Sequence, residues 1–573
     1  MSRKTTVAGA VTACLVRHGV RQIFAQSLPS MVVLAAEEAG IVQVTYRTEN
    51  AGAAMADGYA RVSGRAAVVM AQNGPAATLL VPGLAEALKA SIPVVAIVQD
   101  VHRKQTDRNA FQEYDHIALL APCTKWVRRV TEADRVVDYI DMAFVNATSG
   151  RPGPVALLLP ADLLLEKAPP PARRAVSLGA FPLDRVLADP ERIEEAAGLL
   201  AAAKHPVIVA GGGVHLSGAC AELAELQARA HLPVTTTVMG KGAVDENHPL
   251  SLGVTGYAMG RLSPTRDMRP IIEEADVVLL VGTRTNQNGT DSWALYPESA
   301  RYVHIDLDGG EIGRNYEALR LAGDAKLTLR ALADKLAGKR KPMPKLEQRI
   351  AEIRARHAKE IAPLAQARGA PVRPERLMAD LQTVLTPETI VVCDASYSTL
   401  WAACYLRSLA AGMRFITPRG MAGLGWGLPM AIGAKVAQPK SPILCIVGDG
   451  GFAHVWSELE TAHRVKTPMV ITVLNNGILG YQKDAEDVKF GAHTSACTFA
   501  PVDHAAIARA CGLQGVRVEN GEDYLPALRR AMASGKPCLI DVITDPAAYP
   551  PITLFAPLED IRKSRARAAK RQG

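Results

Sequence analysis

Several common sequence features are absent from this chain of 573 residues, and each absence excludes a class of protein. Its nine cysteines form no C-x-x-C pair, which argues against a Cys/His zinc site and against a disulfide framework. No apolar stretch is long and unbroken enough to predict a membrane span. A G-x-x-x-x-G-K-[ST] loop and a G-x-S-x-G elbow are also missing, which argues against a P-loop ATPase and a serine hydrolase.

The chain carries little net charge outside its C-terminal end. The formal net charge is +8, but six basic residues lie within the last twelve positions, and the rest carries only +2. A nearly neutral body disfavours nucleic-acid binding, and we interpret residues 551–573 as a solvated C-terminal tail. The apolar segment after Arg3-Lys4 predicts an amphipathic helix rather than a signal peptide, which together with reduced cysteines favours a cytoplasmic protein.

Short runs of Val, Ile and Leu alternate with longer Ala/Leu/Glu segments through the whole chain. This alternation is typical of βαβ units and parallel sheets. With 48% apolar and 21% charged residues, the chain is long enough for about three globular domains. The predicted strands are 67–70, 94–98, 155–159, 207–210, 277–281, 303–307, 443–447, 469–474 and 539–543.

Two proline-rich, charged segments interrupt this pattern, at 166–174 and at 338–345. They divide the chain into residues 1–165, 188–337 and 372–550, followed by the tail. We predict an α/β fold with a doubly wound parallel sheet in each of the three pieces.

The predicted strand 443–447 runs into Gly448-Asp449-Gly450-Gly451. Ligands of open α/β sheets bind beyond the carboxyl ends of strands, and glycines there let backbone amides approach an anion. The next strand along the chain ends in Asn475-Asn476, so Asp449 and Asn476 are expected at the same sheet edge. A carboxylate, an amide oxygen and a main-chain carbonyl suit Mg²⁺, whose remaining ligands would be phosphate oxygens. The pattern therefore predicts a magnesium–diphosphate site.

The segment from Gly448 to Asn476 resembles the signature of thiamine diphosphate-dependent enzymes. Matching segments at 47–61, 110–113, 150–155 and 424–429 extend the resemblance over nearly the whole chain, and the acetohydroxyacid (acetolactate) synthase-like group looks closest. The resemblance implies that residues 1–165 bind the pyrimidine, 188–337 form a central domain and 372–550 bind the diphosphate. It also implies a homodimer or homotetramer with active sites between subunits.

The resemblance also implies the residue roles. Glu49 matches the glutamate that hydrogen-bonds the aminopyrimidine, Leu424 the apolar residue that keeps the coenzyme folded, and Phe111 and Gln112 residues on the substrate side. These four are the catalytic candidates. The implied cofactor-binding residues are Glu49, Tyr397, Ser398, Ala422, Leu424, Gly448, Asp449, Gly450, Gly451, Asn476, Ile478 and Leu479. The implied metal ligands are Asp449, Asn476 and the carbonyl of Ile478.

The activity implied is a carboligase that decarboxylates a 2-oxo acid such as pyruvate and joins the resulting carbanion equivalent to a second carbonyl. A lyase of 2-hydroxyacyl-coenzyme A or an oxalyl-coenzyme A-type decarboxylase on the same scaffold is the alternative. Acetyl transfer to phosphate from a sulfonated aldehyde, and a binding protein without turnover, are further alternatives. The expected partner is a small 2-oxo acid or acyl-coenzyme A, with no nucleic acid and no membrane.

Some segments depart from the family pattern. Ala485 stands where the branched-chain synthases carry tryptophan, the loop 26–30 lacks glycines beside its proline, and Ala76 replaces a glycine. In the central piece, Gly211-Gly212-Gly213 follows a predicted strand, and residues 235–240 and 305–308 resemble segments that hold FAD in the synthases. The sequence leaves open FAD, another ADP-containing group such as that of coenzyme A, or no ligand there.

Overall fold

A computed structural model describes residues 5–169 and 174–553 of the chain. Three six-stranded sheets, each built from parallel strand pairs and flanked by helices, follow one another along the chain. This confirms the predicted α/β fold class, and each of the nine predicted strands is present. The linker residues 170–173 and the tail from residue 554 onward lie outside the described residues.

The first sheet is buried on both faces. Its strands are β1 (Gln22–Ala25), β2 (Val42–Val44), β3 (Ala67–Ala71), β4 (Val94–Asp100), β5 (Trp126–Arg129) and β6 (Val155–Pro160), in the order β2-β1-β3-β4-β6-β5. Its helices are α1 (Val7–Arg17), α2 (Ser30–Glu38), α3 (Glu49–Ser63), α4 (Pro75–Ala90), α5 (His116–Leu120) and α6 (Val136–Thr148). Alternate residues of β3 and β4 enter two separate apolar clusters, which explains why these strands are apolar throughout.

The central sheet has a different strand order. Its strands are β7 (Pro206–Ala210), β8 (Val234–Thr236), β9 (Ser251–Val254), β10 (Val277–Val281), β11 (Arg301–Asp306) and β12 (Ala318–Ala322), in the order β12-β11-β10-β7-β8-β9. Its helices are α7 (Pro190–Ala202), α8 (Gly212–Ser217), α9 (Cys220–Ala230), α10 (Arg269–Glu273) and α11 (Ala325–Leu336). This is the order of dinucleotide-binding sheets, and it reverses between β7 and β10.

The third sheet repeats the topology of the first. After α12 (Pro344–Ala365) come β13 (Ile390–Cys393), β14 (Phe415–Ile416), β15 (Ile443–Gly448), β16 (Val470–Asn475), β17 (Gln514–Val518) and β18 (Cys538–Ile543), in the order β14-β13-β15-β16-β18-β17. The helices are α13 (Pro374–Gln382), α14 (Tyr397–Tyr405), α15 (Gly427–Ala437), α16 (Asp449–Phe452), α17 (Glu458–Arg464), α18 (Gly480–Phe490), α19 (His504–Ala510) and α20 (Gly521–Ala533). Its strand order reverses between β13 and β15.

Helices α3 and α15 pack the first and third sheets into one body. A Cβ atom on Gly58 would lie 2.3 Å from the carbonyl oxygen of Met430, and one on Gly433 would lie 1.9 Å from that of Met55. Only glycine permits this approach of the two helix backbones. One apolar cluster therefore contains residues of both sheets.

The described residues contain no helix that is both long and apolar enough to cross a bilayer. All nine cysteines lie in the described part of the chain as free thiols, and seven of them are buried.

Candidate active site

A small cavity of about 50 Å³ lies where the third sheet reverses its strand order, between β13 and β15. Gly448 in β15 is opposite Leu474 in β16, so the residues that follow these strands reach the same edge of the sheet. Ten of the twelve residues predicted for the cofactor line this cavity: Tyr397, Ser398, Leu424, Gly448, Asp449, Gly450, Gly451, Asn476, Ile478 and Leu479.

Asp449 is a buried carboxylate held by main-chain amides. It is 7% exposed; its Oδ2 accepts a hydrogen bond from the Gly477 amide (2.7 Å) and its Oδ1 one from the Gly450 amide (2.9 Å). Burial raises the pKa of this carboxyl to about 6, although the amide donors act in the opposite direction. Asp449 forms no ion pair with any residue in 5–169 or 174–553, so a cation would be the partner that stabilises its charged form.

The two consecutive asparagines have different environments. The Asn475 side chain turns into the protein, where its Nδ2 donates to the Val502 carbonyl (3.0 Å) and to Asp541 (2.9 Å). Asn476 lines the cavity, and its Oδ1 accepts a bond from the Ile478 amide at 3.2 Å. The carboxamide of Asn476 therefore faces the same space as Asp449.

Tyr397 and Ser398 line the cavity, but their hydroxyls are engaged elsewhere. The Tyr397 hydroxyl donates to Asp484 in α18. The Ser398 hydroxyl donates back to the carbonyls of Asp394 and Ala395, at 3.0 and 2.9 Å. What α14 offers to a ligand is therefore the main-chain amides of its first turn, which are the groups that bind phosphates at helix N-termini.

Asp394 holds the turn that presents Leu424. The carboxylate of Asp394 is 1% exposed, and it accepts hydrogen bonds from the amides of Gly425 (2.9 Å), Trp426 (3.0 Å) and Gly427 (3.3 Å). Leu424 remains 36% exposed at the cavity, in the position that a ligand-contacting apolar side chain needs.

Glu86, a residue of α4, holds the segment before Leu424. Its buried carboxylate accepts bonds from the amides of Gly420 (2.7 Å), Met421 (2.5 Å) and Ala422 (3.2 Å). Ala422 has a left-handed backbone with φ of 61°. Because its amide is engaged by Glu86, only its carbonyl and its methyl group remain for a ligand.

Glu49 is the first residue of α3 and is half-buried. The amides of Arg47 and Thr48 just before it donate to the Glu458 carboxylate of α17, at 2.9 and 3.2 Å. All residues that line the Asp449 cavity lie between 374 and 548. The single chain therefore does not bring Glu49 to the Asp449 cavity.

Phe111 and Gln112 also lie away from that cavity, on the first sheet's side of the molecule. Phe111 is 83% exposed, and Gln112 has a left-handed φ of 61°. The side-chain amide of Asn73 donates to both of their carbonyls, at 3.1 and 3.0 Å. The two residues thus sit on a fixed turn, with the Phe111 side chain outward and the Gln112 side chain partly buried.

A larger cavity, of about 370 Å³, opens at the carboxyl edge of the central sheet. Its walls include Gly212-Gly213 after β7, residues 282–289 after β10 and residues 305–307 at the end of β11, with 419–422 on the far side. Arg284 has no acidic partner among the described residues, and burial lowers its pKa. Burial raises the pKa of Asp306 to about 6. The cavity therefore combines a glycine turn with a guanidinium that forms no ion pair in the described chain, although Glu311 and Asp306 are near enough to act on its charge.

Three buried acids that position the site are not among the predicted site residues: Asp394, Glu86 and Glu458. Asp394 carries a usable signal, since it directly follows the apolar strand β13, as Asp449 follows β15. Glu86 lies within α4, and Glu458 is the first residue of α17. Both helices have ordinary amphipathic sequences, and no sequence motif distinguishes these two acids.

Comparison with known families accounts for most of the chain. Three family models match it: "Thiamine pyrophosphate enzyme, N-terminal TPP binding domain" at residues 5–119, the central domain at 193–332 and the "C-terminal TPP binding domain" at 394–542. A probable acetolactate synthase large subunit of Methanocaldococcus jannaschii is 34% identical over 95% of this chain and 93% of its own length. An acetolactate synthase of Arthrospira platensis is 32% identical over 96% of both chains, and the isozyme 3 large subunit of Escherichia coli is 30% identical over 93% of this chain and 94% of its own.

The chain belongs to the family of thiamine pyrophosphate enzymes. Its three parallel sheets and the glycine-rich turn at Asp449 agree with this assignment. Within the family it is an acetolactate synthase-like enzyme. These findings confirm the resemblance drawn from the sequence motifs, and thiamine diphosphate as the coenzyme.

Proposed function

We propose that the protein is a thiamine diphosphate- and Mg²⁺-dependent carboligase that decarboxylates a 2-oxo acid such as pyruvate and joins the remaining fragment to a second carbonyl. The observation that carries this proposal is the match to acetolactate synthases over almost the whole chain, together with Asp449 and Asn476 facing one cavity. We assign the pyrimidine to residues 1–165 and the diphosphate to residues 372–550.

The residues at the small cavity fit a magnesium–diphosphate group. Asp449 is a buried carboxylate without a cationic partner in the described chain, and Asn476 adds an amide oxygen beside it. With the carbonyl of Ile478 they form an oxygen set of the kind Mg²⁺ accepts, in which phosphate oxygens complete the coordination. Main-chain amides of Tyr397 and Ser398, at the start of α14, would donate to the diphosphate.

Bound thiamine diphosphate supplies a thiazolium that accepts the electron pair released when the 2-oxo acid loses CO₂. Leu424 would hold the coenzyme in a bent form by filling the space beneath it, which brings the reacting groups together. The Asp394 and Glu86 carboxylates would keep Leu424 in place, because together they bind the amides on both sides of it.

Glu49 would share a proton with N1′ of the aminopyrimidine, as a carboxylate in general acid–base catalysis. We propose that Glu49 reaches the Asp449 cavity of a second subunit, since it does not line the cavity of its own chain. The exposed side chain of Phe111 and the neighbouring Gln112 would approach the same shared site from the first sheet. A homodimer or homotetramer follows from this assignment.

The region beyond Asn476 favours a substrate different from that of the branched-chain synthases. Ala485 lies on α18 and packs against the cluster that contains Tyr257 and Leu400. A small residue here leaves more room than tryptophan would, so we propose that the second carbonyl substrate is not selected by an indole at this position. The coenzyme A lyase and decarboxylase alternatives are open for the same reason.

For the central cavity we propose a nucleotide diphosphate ligand, FAD or another ADP-containing group. The glycines after β7 would let a diphosphate approach the backbone, and Arg284 would supply a positive charge that no ion pair within the described chain occupies. An absorption band of the purified protein in the flavin region would identify FAD. A colourless protein that releases an ADP-containing compound on denaturation would identify the alternative.

The function is tested by incubating the protein, thiamine diphosphate and Mg²⁺ with pyruvate, with a sample lacking the coenzyme as control. We expect coenzyme-dependent release of CO₂ and formation of acetolactate. Inertness towards pyruvate, with cleavage of 2-hydroxyacyl- or oxalyl-coenzyme A, would favour the alternative activity. Lack of turnover with every one of these substrates would refute the proposal.

A further inference from the structure

His116 and Asp100 form a buried pair behind the turn that carries Phe111 and Gln112. His116 is 0% exposed and Asp100 1%, and the imidazole Nδ1 lies 3.2 Å from an Asp100 carboxylate oxygen. The second oxygen of Asp100 lies 2.6 Å from Nε of Arg129. The pair has no place in the function proposed above.

The hydrogen bonds around His116 define its tautomer. The Gly74 amide donates to Nε2 at 2.8 Å, so Nε2 carries no proton. The ring proton must then be on Nδ1, where it is donated to Asp100. Burial alone would raise the pKa of Asp100, but the bonds from His116 and Arg129 outweigh it and place the pKa below its ordinary value. Asp100 therefore accepts the Nδ1 proton of His116 as a carboxylate.

Gly74 in turn is in direct contact with the 111–112 turn. Gly74 has φ of 65°, and a Cβ atom on it would lie 2.6 Å from Cβ of Gln112. The preceding Asn73 side chain bonds the carbonyls of both Phe111 and Gln112. The turn at 73–74 and the turn at 111–112 therefore form one unit, and His116 is bound to this unit through the Gly74 amide.

Gln112 is the residue on which this support acts. Its left-handed backbone is uncommon for a side chain of this size, and its Oε1 is buried without a hydrogen-bond partner among the described residues. An unpaired buried polar atom is rare, and it indicates a partner that the described residues do not supply.

We propose that His116 is a positioning residue: through Nε2 it fixes the Gly74 amide, and thereby the position of Phe111 and Gln112 towards the substrate, while Asp100 fixes its tautomer. His116 does not touch the substrate. The inference rests on the proposed function, because only there do Phe111 and Gln112 approach the reacting carbonyl.

Two variants separate positioning from simple packing. His116→Phe fills the same space but offers no acceptor to the Gly74 amide, whereas the side-chain oxygen of His116→Gln can accept that bond. With the coenzyme-loaded enzyme, we expect His116→Phe to raise KM for the 2-oxo acid by about tenfold, because a buried amide loses its partner. The Kd of thiamine diphosphate should stay unchanged, and His116→Gln should remain within about threefold of wild type.

Hydrogen exchange of the peptide that contains residues 111 and 112 gives a readout independent of turnover. Exchange should accelerate in His116→Phe and stay near wild type in His116→Gln. If His116→Phe does not fold, Asp100→Asn takes its place. This variant weakens the bond that keeps the ring proton of His116 on Nδ1, so KM and hydrogen exchange should rise as in His116→Phe but by less.

The inference is overturned if His116→Phe only lowers the melting temperature while KM and exchange stay unchanged, or if His116→Gln is damaged as much as His116→Phe. If the wild-type enzyme turns over no 2-oxo acid, the proposed function fails, and the exchange data alone decide whether His116 positions the turn.

Discussion

Asn475 and Asn476 are neighbours in the sequence, yet they act on opposite sides of the chain. Successive side chains leaving a strand point in opposite directions, so one enters the core and the other the cavity. Asn475 bonds Asp541, whereas Asn476 faces the space beside Asp449. The sequence predicts that an asparagine at the end of β16 faces the cavity. The alternation of side chains along the strand explains why this residue is Asn476 and not Asn475.

Residues that act through the backbone are harder to predict from sequence. Tyr397 and Ser398 carry hydroxyls that suggest phosphate contacts, but both hydroxyls bond within the protein. Glu86 reaches a segment more than three hundred positions away, a contact that no local pattern contains. Long-range polar contacts of this kind depend on how the domains pack, which periodicity and spacing do not encode.

Glu49→Gln tests whether Glu49 shares a proton with the coenzyme. The substitution keeps the shape of the side chain but removes its charge, so it should lower kcat by about a hundredfold or more while thiamine diphosphate still binds. Steady-state kinetics and calorimetric titration of the coenzyme check the two parts. Glu195→Gln, an exposed change on α7, is the matched control. A wild-type rate for Glu49→Gln would remove Glu49 from the mechanism.

Asp449→Ala tests the proposed metal site. Without this carboxylate the Mg²⁺-dependent part of coenzyme binding should disappear, because the charged ligand of the ion is lost. Calorimetry with and without Mg²⁺ measures the effect. Asp523→Ala, on the exposed face of α20, should bind like wild type. Equal affinity of Asp449→Ala and wild type would contradict the assignment.

At the scale of elements, nine inner strands were predicted, whereas all six edge strands and the short inner strands β1, β8 and β13 were not. β3, β6 and β10 are apolar along their length because both faces are covered. Edge strands such as β12 and β17 are mostly exposed or half-buried, and β14 has only two residues, so their sequences carry no continuous apolar run.

The segment between β14 and α15 depends on acidic residues from other elements. In Glu86→Gln an NH2 group replaces one carboxylate oxygen, so either the bond from Gly420 or the bonds from Met421 and Ala422 lose their acceptor. We expect a loss of about 1–3 kcal/mol in the free energy of unfolding, with weaker coenzyme binding. Chemical denaturation with Glu195→Gln as control measures it. Unchanged stability and affinity would mean that the segment holds its conformation without Glu86.

At the scale of the whole molecule, the separation of Glu49 from the Asp449 cavity predicts complementation between subunits. A mixed dimer of Glu49→Gln and Asp449→Ala chains would contain one site with both native residues and one with neither. Random reassortment should therefore restore roughly a quarter of the wild-type activity. If each site were built within one chain, unfolding and refolding the two inactive variants together would restore none.

Buried histidines make the central domain sensitive to acid. Burial lowers the pKa of His215 to about 3 and that of His304 to about 4, against an ordinary value of 6.5. The folded state therefore binds fewer protons than the unfolded state, and stability is lost as the pH falls from 6.5 towards 4. Each histidine should cost about 2 kcal/mol at pH 5 relative to neutral pH.

His304→Gln tests this acid sensitivity, because glutamine can still donate to the Thr283 carbonyl but cannot take up a proton. Denaturation at pH 7.5 and pH 5 should reveal a smaller difference for this variant than for wild type. His205→Gln, which changes an exposed histidine of the same domain, should behave like wild type. An equal acid loss in all three proteins would assign the sensitivity to other groups.

The glycine contact between α3 and α15 has a consequence for recombining this protein with its relatives. The two helices interlock backbone against backbone, so a chimera that exchanges one of them must exchange its counterpart as well. A single crossover between residues 58 and 433 would separate the pair, and any larger residue that a relative carries at either position would then meet the backbone of the other helix. The two outer domains must therefore be exchanged together as a matched pair.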